Sequence, residues 1–155
     1  MIKKQRKLII MKVNFKKIDA RAKMPTYGSP YAAGADLYAV TDGDITVMPD
    51  KTVFIGTGIA VELPLGTVGL IYARSGLACK RDLAPANKVG VIDCDYRGEI
   101  KVALHNHGTE PQVISAGERI AQMVVAPYYT VEYEEVEELS DTVRGAGGFG
   151  STGKQ

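Results

Sequence analysis

Apolar residues recur in short runs along this chain, and nearly every run is closed by glycine, proline or aspartate. Residues 45–48 (Ile-Thr-Val-Met) lie between Asp44 and Pro49 and read as a strand. Residues 51–63 are rich in β-branched side chains, end at Pro64, and predict one long strand. Residues 67–72 predict another. Residues 89–93 and 99–104 flank Asp95-Tyr-Arg-Gly98, a pattern that reads as a hairpin with its turn. Residues 112–114 form a short strand, Ala116-Gly-Glu118 a turn, and residues 120–126 a buried strand ending at Pro127. Val13, Phe15 and Ile18 are more loosely spaced. The one helical segment is 75–82, two turns at most, with Ser75 as its N-cap. Many short strands with frequent turns and no internal repeat predict an all-β sandwich or jelly roll.

Composition narrows the setting. A chain of 155 residues is one domain, large enough for a core without staples. No apolar run approaches the ~20 residues of a membrane span. The start is basic, but its apolar stretch (Leu8-Ile-Ile-Met11) is shorter than the ~7–15 residues of a signal-peptide core. A cytoplasmic location without membrane partners is therefore expected. Cys79 and Cys94 form neither a Cys-x-x-Cys pair nor a zinc pattern, and two reduced thiols are expected. Charge is segregated: residues 1–23 hold nine Lys or Arg and one acid, residues 132–141 six acids and no base. The balanced total of +1 argues against nucleic-acid binding. The acidic run reads as an exposed strand edge or linker. Met11 is a candidate start of the folded domain, after a basic extension over 1–10.

Several stretches carry chemistry. Arg144-Gly-Ala-Gly-Gly-Phe-Gly-Ser-Thr-Gly153 has five glycines in ten residues and holds no helix or packed strand unaided. Bare amides, two hydroxyls and a guanidinium suit a phosphate chain, and a lone aromatic suits a base. Arg74-Ser-Gly76 follows a strand: Arg74 can fork onto a phosphate, Ser75 can donate a hydroxyl, and Gly76 allows close approach, although the same triplet also makes an ordinary capped turn. In Gly90-Val-Ile-Asp-Cys-Asp-Tyr-Arg-Gly98, Asp93 sits where a strand meets a turn, from which a carboxylate can hold or deprotonate a water. Asp95 suits the turn itself, Tyr96 can stack on a sugar or base, and Asp93 with Asp95 is also a weaker metal pair. His105 and His107 share a strand face but lack a third ligand, and read as a solvated strand end. No histidine lies near Cys94 in sequence, which disfavours a Cys-His nucleophile. Asp36 is the one charge in Pro30-Tyr-Ala-Ala-Gly-Ala-Asp-Leu37, and Gln122 inside an apolar run needs a partner.

Taken in order, Tyr31-Ala-Ala-Gly-Ala-Asp-Leu37, Arg74-Ser-Gly76, Gly90–Gly98, Gly117-Glu-Arg-Ile-Ala-Gln122 and the glycine tail resemble the motif set of the trimeric deoxyuridine triphosphatases (dUTPases). The resemblance implies a single-domain jelly roll or distorted β-barrel over 11–143 with a flexible Gly-rich C-terminal arm over 144–155. It implies a homotrimer with sites shared between subunits, and Mg2+-dependent hydrolysis of dUTP to dUMP and pyrophosphate. Asp93 would activate the attacking water. Arg74, Ser75 and Gly76 would hold the phosphates, with Gln122 supporting the α-phosphate region. Asn87, Gly90, Val91 and Ile92 would form the uracil slot, and Tyr96 would pack on the deoxyribose. Arg144, Phe149, Gly150, Ser151 and Thr152 would form a lid with Phe149 over the uracil. Asp36 would reach the metal's water shell, and Lys101 would line the pocket. Cys94 and Ala146 depart from the common pattern at positions without a proposed role. Related dCTP deaminases would carry a second serine after Arg-Ser, where this chain has Gly76. A non-catalytic nucleotide sensor would have lost Asp93 or the tail, both of which are kept.

Overall fold

The computed structural model describes residues 10–148. Its elements are β1 (Asn14–Lys17), β2 (Thr26–Tyr27), β3 (Ala35–Tyr38), β4 (Ile45–Val47), β5 (Thr52–Gly56), β6 (Ile59–Glu62), β7 (Thr67–Tyr72), α1 (Ser75–Arg81), β8 (Leu83–Pro85), β9 (Gly90–Ile92), β10 (Lys101–Asn106), β11 (Gln112–Ile114) and β12 (Arg119–Pro127). The strands form a five-stranded sheet in the order β2-β3-β12-β7-β9, a three-stranded sheet β5-β10-β8, and the pairs β1-β6 and β11-β4. Every pairing is antiparallel. The architecture is the all-β jelly roll that the short-strand pattern predicts.

Alternation builds the core. Along β10, Val102, Leu104 and Asn106 point inward while the residues between them are more exposed. Leu37, Val47, Ile55, Ile59, Leu83, Ile100, Ile114 and Ile120 join them, each at 1% exposure or less. Each such side chain contributes about 1.5–3 kcal/mol of burial. The buried Asn106 amide donates to the carbonyls of Val47 (2.9 Å) and Glu110 (2.8 Å) and accepts from Gly108 N–H (2.9 Å). A polar group fully satisfied in this way ties the end of β10 to β4 at little cost.

Three local expectations differ from the structure. Residues 51–63 are two strands: Gly58 turns the chain with φ +66°, and β5 and β6 leave it for different sheets. A side chain at Gly58 would collide with Ala22 Cβ at 2.9 Å and Asp19 Cβ at 3.0 Å. The segments around Asp95–Gly98 are not a hairpin, because β9 pairs with β7 while β10 pairs with β5 and β8. Ser75 is the first residue of α1, not its cap; Arg74 holds the cap position in extended backbone without a side-chain bond. Two short strands, β2 and β8, had no pattern to reveal them.

The helix is held by a side-chain fork. Arg81 donates to Gln112 Oε1 (3.0 Å), Glu118 Oε1 (2.5 Å) and the Val113 carbonyl. These bonds fasten the C-terminal turn of α1 to β11 and to the Gly117 turn. From Tyr128 to Gly148 the chain carries no strand or helix, and the acidic run within it is exposed.

Candidate active site

Residues from β3, β12, the start of α1 and the connection between β2 and β3 converge on one polar cleft of about 200 Å³, lined by Gly28, Ala32, Gly34, Asp36, Arg74, Ser75, Arg119 and Gln122. Gln122 sits mid-strand on β12, opposite Asp36 of β3 on one side and Tyr72 of β7 on the other. Its Nε2 donates to the Ala73 carbonyl at 2.9 Å, which pins the end of β7 just before Arg74. Its Oε1 fills the place where a Cβ on Gly34 would lie, so a side chain at residue 34 would have to displace Gln122. Asp36 is 7% exposed and takes Arg74 Nε on Oδ1 at 2.7 Å and Arg119 NH1 on Oδ2 at 3.1 Å. One buried carboxylate between two guanidinium groups leaves the cleft cationic, as a phosphate site requires. Ser75 and Gly76, exposed in the first turn, have N–H groups that no intrahelical carbonyl can reach.

A second cleft, of about 360 Å³, lies across the chain from β9 to β10 and is lined by Phe54, Val91, Ile92, Asp93, Tyr96, Glu99 and Lys101. Asp93 follows β9 directly; its carbonyl accepts the Tyr96 N–H at 3.1 Å, and its side chain is exposed without a protein partner among the described residues. Tyr96 lies over Gly98, where any Cβ would strike the phenol, and its hydroxyl donates to the Glu99 carbonyl at 3.0 Å. Lys101 reaches Glu99 Oε2 at 3.6 Å. Asn87 stands at the turn before β9, its Nδ2 3.5 Å from the point a Cβ on Gly90 would occupy. Gly90 itself packs so closely on Ile71 that such a Cβ would lie 3.1 Å from Ile71 Cβ.

The structure thus gathers Asp36, Arg74, Ser75 and Gln122 in one cleft and Val91, Ile92, Asp93, Tyr96 and Lys101 in the other. The two share no lining residue. Arg144 lines neither; its Nε donates to the Gly147 carbonyl at 2.9 Å within a local turn. Phe149, Gly150, Ser151 and Thr152 lie outside the described residues. Arg119, Gly34, Phe54 and Glu99 belong to these walls although sequence reasoning gave them no site role. Gly34, inside a run of small residues before Asp36, and Arg119, inside the motif at residues 117–122, carried signals that could have found them; Phe54 and Glu99 did not.

Among the described residues, no group of three or more His, Cys, Asp or Glu could hold a metal ion. The rings of His105 and His107 lie 4.3 Å apart, but His105 Nδ1 engages Thr52 Oγ1 at 2.9 Å. Asp36 is the one carboxylate of the cationic cleft, and both its oxygens already serve arginines. A hard, octahedral cation that keeps most of its waters fits such a wall through water and substrate oxygens, not as a protein cage. Both cysteines are free, and Cys94 Sγ lies 3.9 Å from the Tyr128 hydroxyl. That contact raises the phenol's pKa above its ordinary value.

Comparison with known proteins matches this arrangement to one family. A family model described as dUTPase covers residues 20–153. A deoxyuridine 5'-triphosphate nucleotidohydrolase of Desulfitobacterium hafniense is 51% identical over 94% of this chain and 97% of its own length. One of Syntrophotalea carbinolica is 47% identical over 95% and 99%. Among solved structures, the Staphylococcus bacteriophage 80alpha dUTPase with dUPNHPP superposes with a TM-score of 0.81 at 29% identity, over 92% of this chain and 99% of that one. A mutant dUTPase from phage phi11 of S. aureus, described with a structural Mg(II) ion, has a TM-score of 0.75 at 25% identity, over 83% and 98%. With the matched region spanning both clefts and the sequence kinship running nearly end to end, the chain belongs to the dUTPase family.

Proposed function

We propose that the protein hydrolyses dUTP to dUMP and pyrophosphate by attack of water on the α-phosphorus, limiting uracil incorporation into DNA and supplying dUMP for thymidylate synthesis. The observation that carries this reading is a division of labour. One cleft offers Arg74, anchored on Asp36 through Nε, with no protein partner on its terminal nitrogens among the described residues. The other offers an unpaired Asp93 beside Tyr96.

In this reading Arg74, Ser75 and Gly76 bind the phosphates, and Gln122 supports the α-phosphate region while holding the backbone before Arg74. Asp93 accepts a hydrogen bond from the attacking water and takes its proton as the bond to phosphorus forms. Uracil presents acceptor, donor, acceptor along its pairing edge. A slot built from Asn87 and the Gly90-Val91-Ile92 backbone leaves buried groups unpaired against cytosine, at about 1–3 kcal/mol each. Tyr96 packs on the deoxyribose and leaves no space for a 2′-hydroxyl. Lys101 lines the pocket. Arg144, Phe149, Gly150, Ser151 and Thr152 close as a lid that excludes water. Mg2+, arriving on the triphosphate, would neutralise its charge and orient it for in-line attack, with Asp36 reaching its water shell.

The separation of the two clefts supports a homotrimer in which one copy supplies the phosphate residues and another supplies Asp93 and Tyr96. Phe54 and Val91, 73% and 61% exposed at the second cleft, are apolar surface that a neighbouring copy would cover. A soluble nucleotide substrate suits a cytoplasmic enzyme; among the described residues no helix is long and apolar enough to cross a membrane.

Pyrophosphate release with Mg2+, compared for dUTP, dCTP, dTTP and UTP, tests the reading. Turnover of dUTP alone, abolished in Asp93→Asn, is expected. Ammonia release from dCTP would mark a deaminase, and dUTP binding without turnover a sensor; either would overturn it.

A further inference from the structure

We infer that Glu99 is a positioning residue that sets the nucleoside selectivity of the second cleft, an inference that rests on the dUTP reading. Glu99 makes three contacts in three directions. Its Oε1 accepts the Gly58 N–H at 2.9 Å. Its Oε2 meets Lys101 Nζ at 3.6 Å. Its backbone carbonyl accepts the Tyr96 hydroxyl at 3.0 Å.

The seat of this side chain is built. Gly56 has no room for a Cβ because Glu99 Oε1 occupies the place, and Glu99 Cδ would lie 3.3 Å from it. Gly58 has a positive φ and a crowded Cα, so its amide is fixed in direction. Next in sequence, the Ile100 carbonyl accepts both Thr57 N–H (3.1 Å) and Thr57 Oγ1 (2.7 Å). Residues 99 and 100 are thereby fastened to the corner between β5 and β6. The segment carrying Asp93 and Tyr96 is open by comparison: Tyr96 is 43% exposed, and its one described side-chain hydrogen bond ends on Glu99.

The carboxylate therefore transmits a rigid corner to two groups that face the nucleoside. The Tyr96 ring stays in place because the carbonyl it leans on is held, and the solvent-exposed Lys101 ammonium is drawn toward Glu99 at the cleft wall. A ring pressed on the sugar separates deoxyribose from ribose only while its position is held to a fraction of an ångström. Glu99 touches no proposed reacting atom, so its loss acts on binding and selectivity more than on the chemical step.

Glu99→Ala is expected to raise KM for dUTP about tenfold and to narrow the dUTP-over-UTP ratio of kcat/KM by a similar factor, with kcat within about threefold of wild type. Amide exchange over residues 93–98 should accelerate. Glu99→Gln, which still accepts from Gly58, should keep most of both. Gly56→Ala, whose methyl displaces the Glu99 carboxylate without replacing any residue of the cleft, should reproduce the Glu99→Ala pattern if Glu99→Ala itself does not fold. A variant that only melts earlier, with KM, the ratio and exchange over 93–98 unchanged, would overturn the inference, as would Glu99→Gln behaving like Glu99→Ala. Failure of the wild type to turn over dUTP would instead sink the functional reading and leave the exchange rates to decide on the tether.

Discussion

Arg74 meets Asp36 through Nε at 2.7 Å, along the flank of its guanidinium rather than its tip. The contact fixes the plane of the group while leaving the terminal nitrogens for a ligand. Arg119 takes the other carboxylate oxygen, so the buried charge of Asp36 is shared by two cations and the cleft keeps a positive excess.

Asp36→Asn removes the shared counter-charge and leaves Arg74 and Arg119 facing each other across a neutral amide. Stability should fall by about 2 kcal/mol, and kcat/KM for dUTP about a hundredfold, mostly through KM. Urea unfolding and initial rates check both numbers. An unchanged KM would mean that Arg74 does not depend on Asp36 for its orientation.

Gly34→Ala tests the same cleft from below. The new methyl would occupy the seat of Gln122 Oε1, with Gln122 Cδ only 3.0 Å away. Gln122 must then swing, releasing the Ala73 carbonyl and the backbone before Arg74. The expected result is a folded protein with strongly weakened binding of a dUTP analogue, read by calorimetry. Wild-type affinity in this variant would remove Gln122 from the phosphate wall.

The strands were legible where the side chains alternate at a sheet surface, as in β7 and β10, or where a bounded apolar run is buried, as in β12. Partners were not. A turn does form nearby, at residues 93–96, but a local turn says only that the chain bends; β9 goes to β7 and β10 to β5 because those long-range pairings complete two different sheets. The split at Gly58 was hidden because a β-branched run looks the same on both sides of a corner. Asp36 was legible as a charge among small residues, yet its partners lie 38 and 83 positions away, beyond any local pattern. The order of motifs identified the family, while the division of their residues between two clefts emerged only in three dimensions.

That division has a mixing test. An Arg74→Ala chain and an Asp93→Asn chain should each be nearly inactive. Refolded together at equal ratio, a site drawing Arg74 from one copy and Asp93 from another recovers both in about a quarter of the sites. Activity well above that of either parent is expected in the trimer fraction from size-exclusion chromatography. No recovery, with co-assembly demonstrated, would require each chain to build its own site.

Removing residues 144–155 should leave the β-sheets intact, since Arg144 bonds only within its own turn among the described residues. Far-ultraviolet circular dichroism should be unchanged and dUTP turnover nearly abolished. Normal turnover by the shortened chain would exclude the lid.

The pH dependence of stability should carry a histidine limb. Partial desolvation lowers the pKa of His107, itself an exposed residue, below its ordinary 6.5, with Lys88 and His105 adding to the shift while Asp82 and Asp50 oppose it. The unfolded chain therefore binds this proton at higher pH than the folded one does. The contribution is full above 6.5 and declines as pH falls below that value toward the depressed folded pKa. The acid limb of Asp19 is separate. Hydrogen bonds from Arg21 hold that carboxyl at about 2 against an ordinary 3.8, so its contribution is present above 3.8 and lost as pH falls through about 2. Thermal unfolding followed from about pH 7.5 to about pH 5 samples only the histidine limb. The midpoint should fall across that window in the wild type and fall less in His107→Gln; equal slopes in the two proteins would show that His107 does not contribute to it.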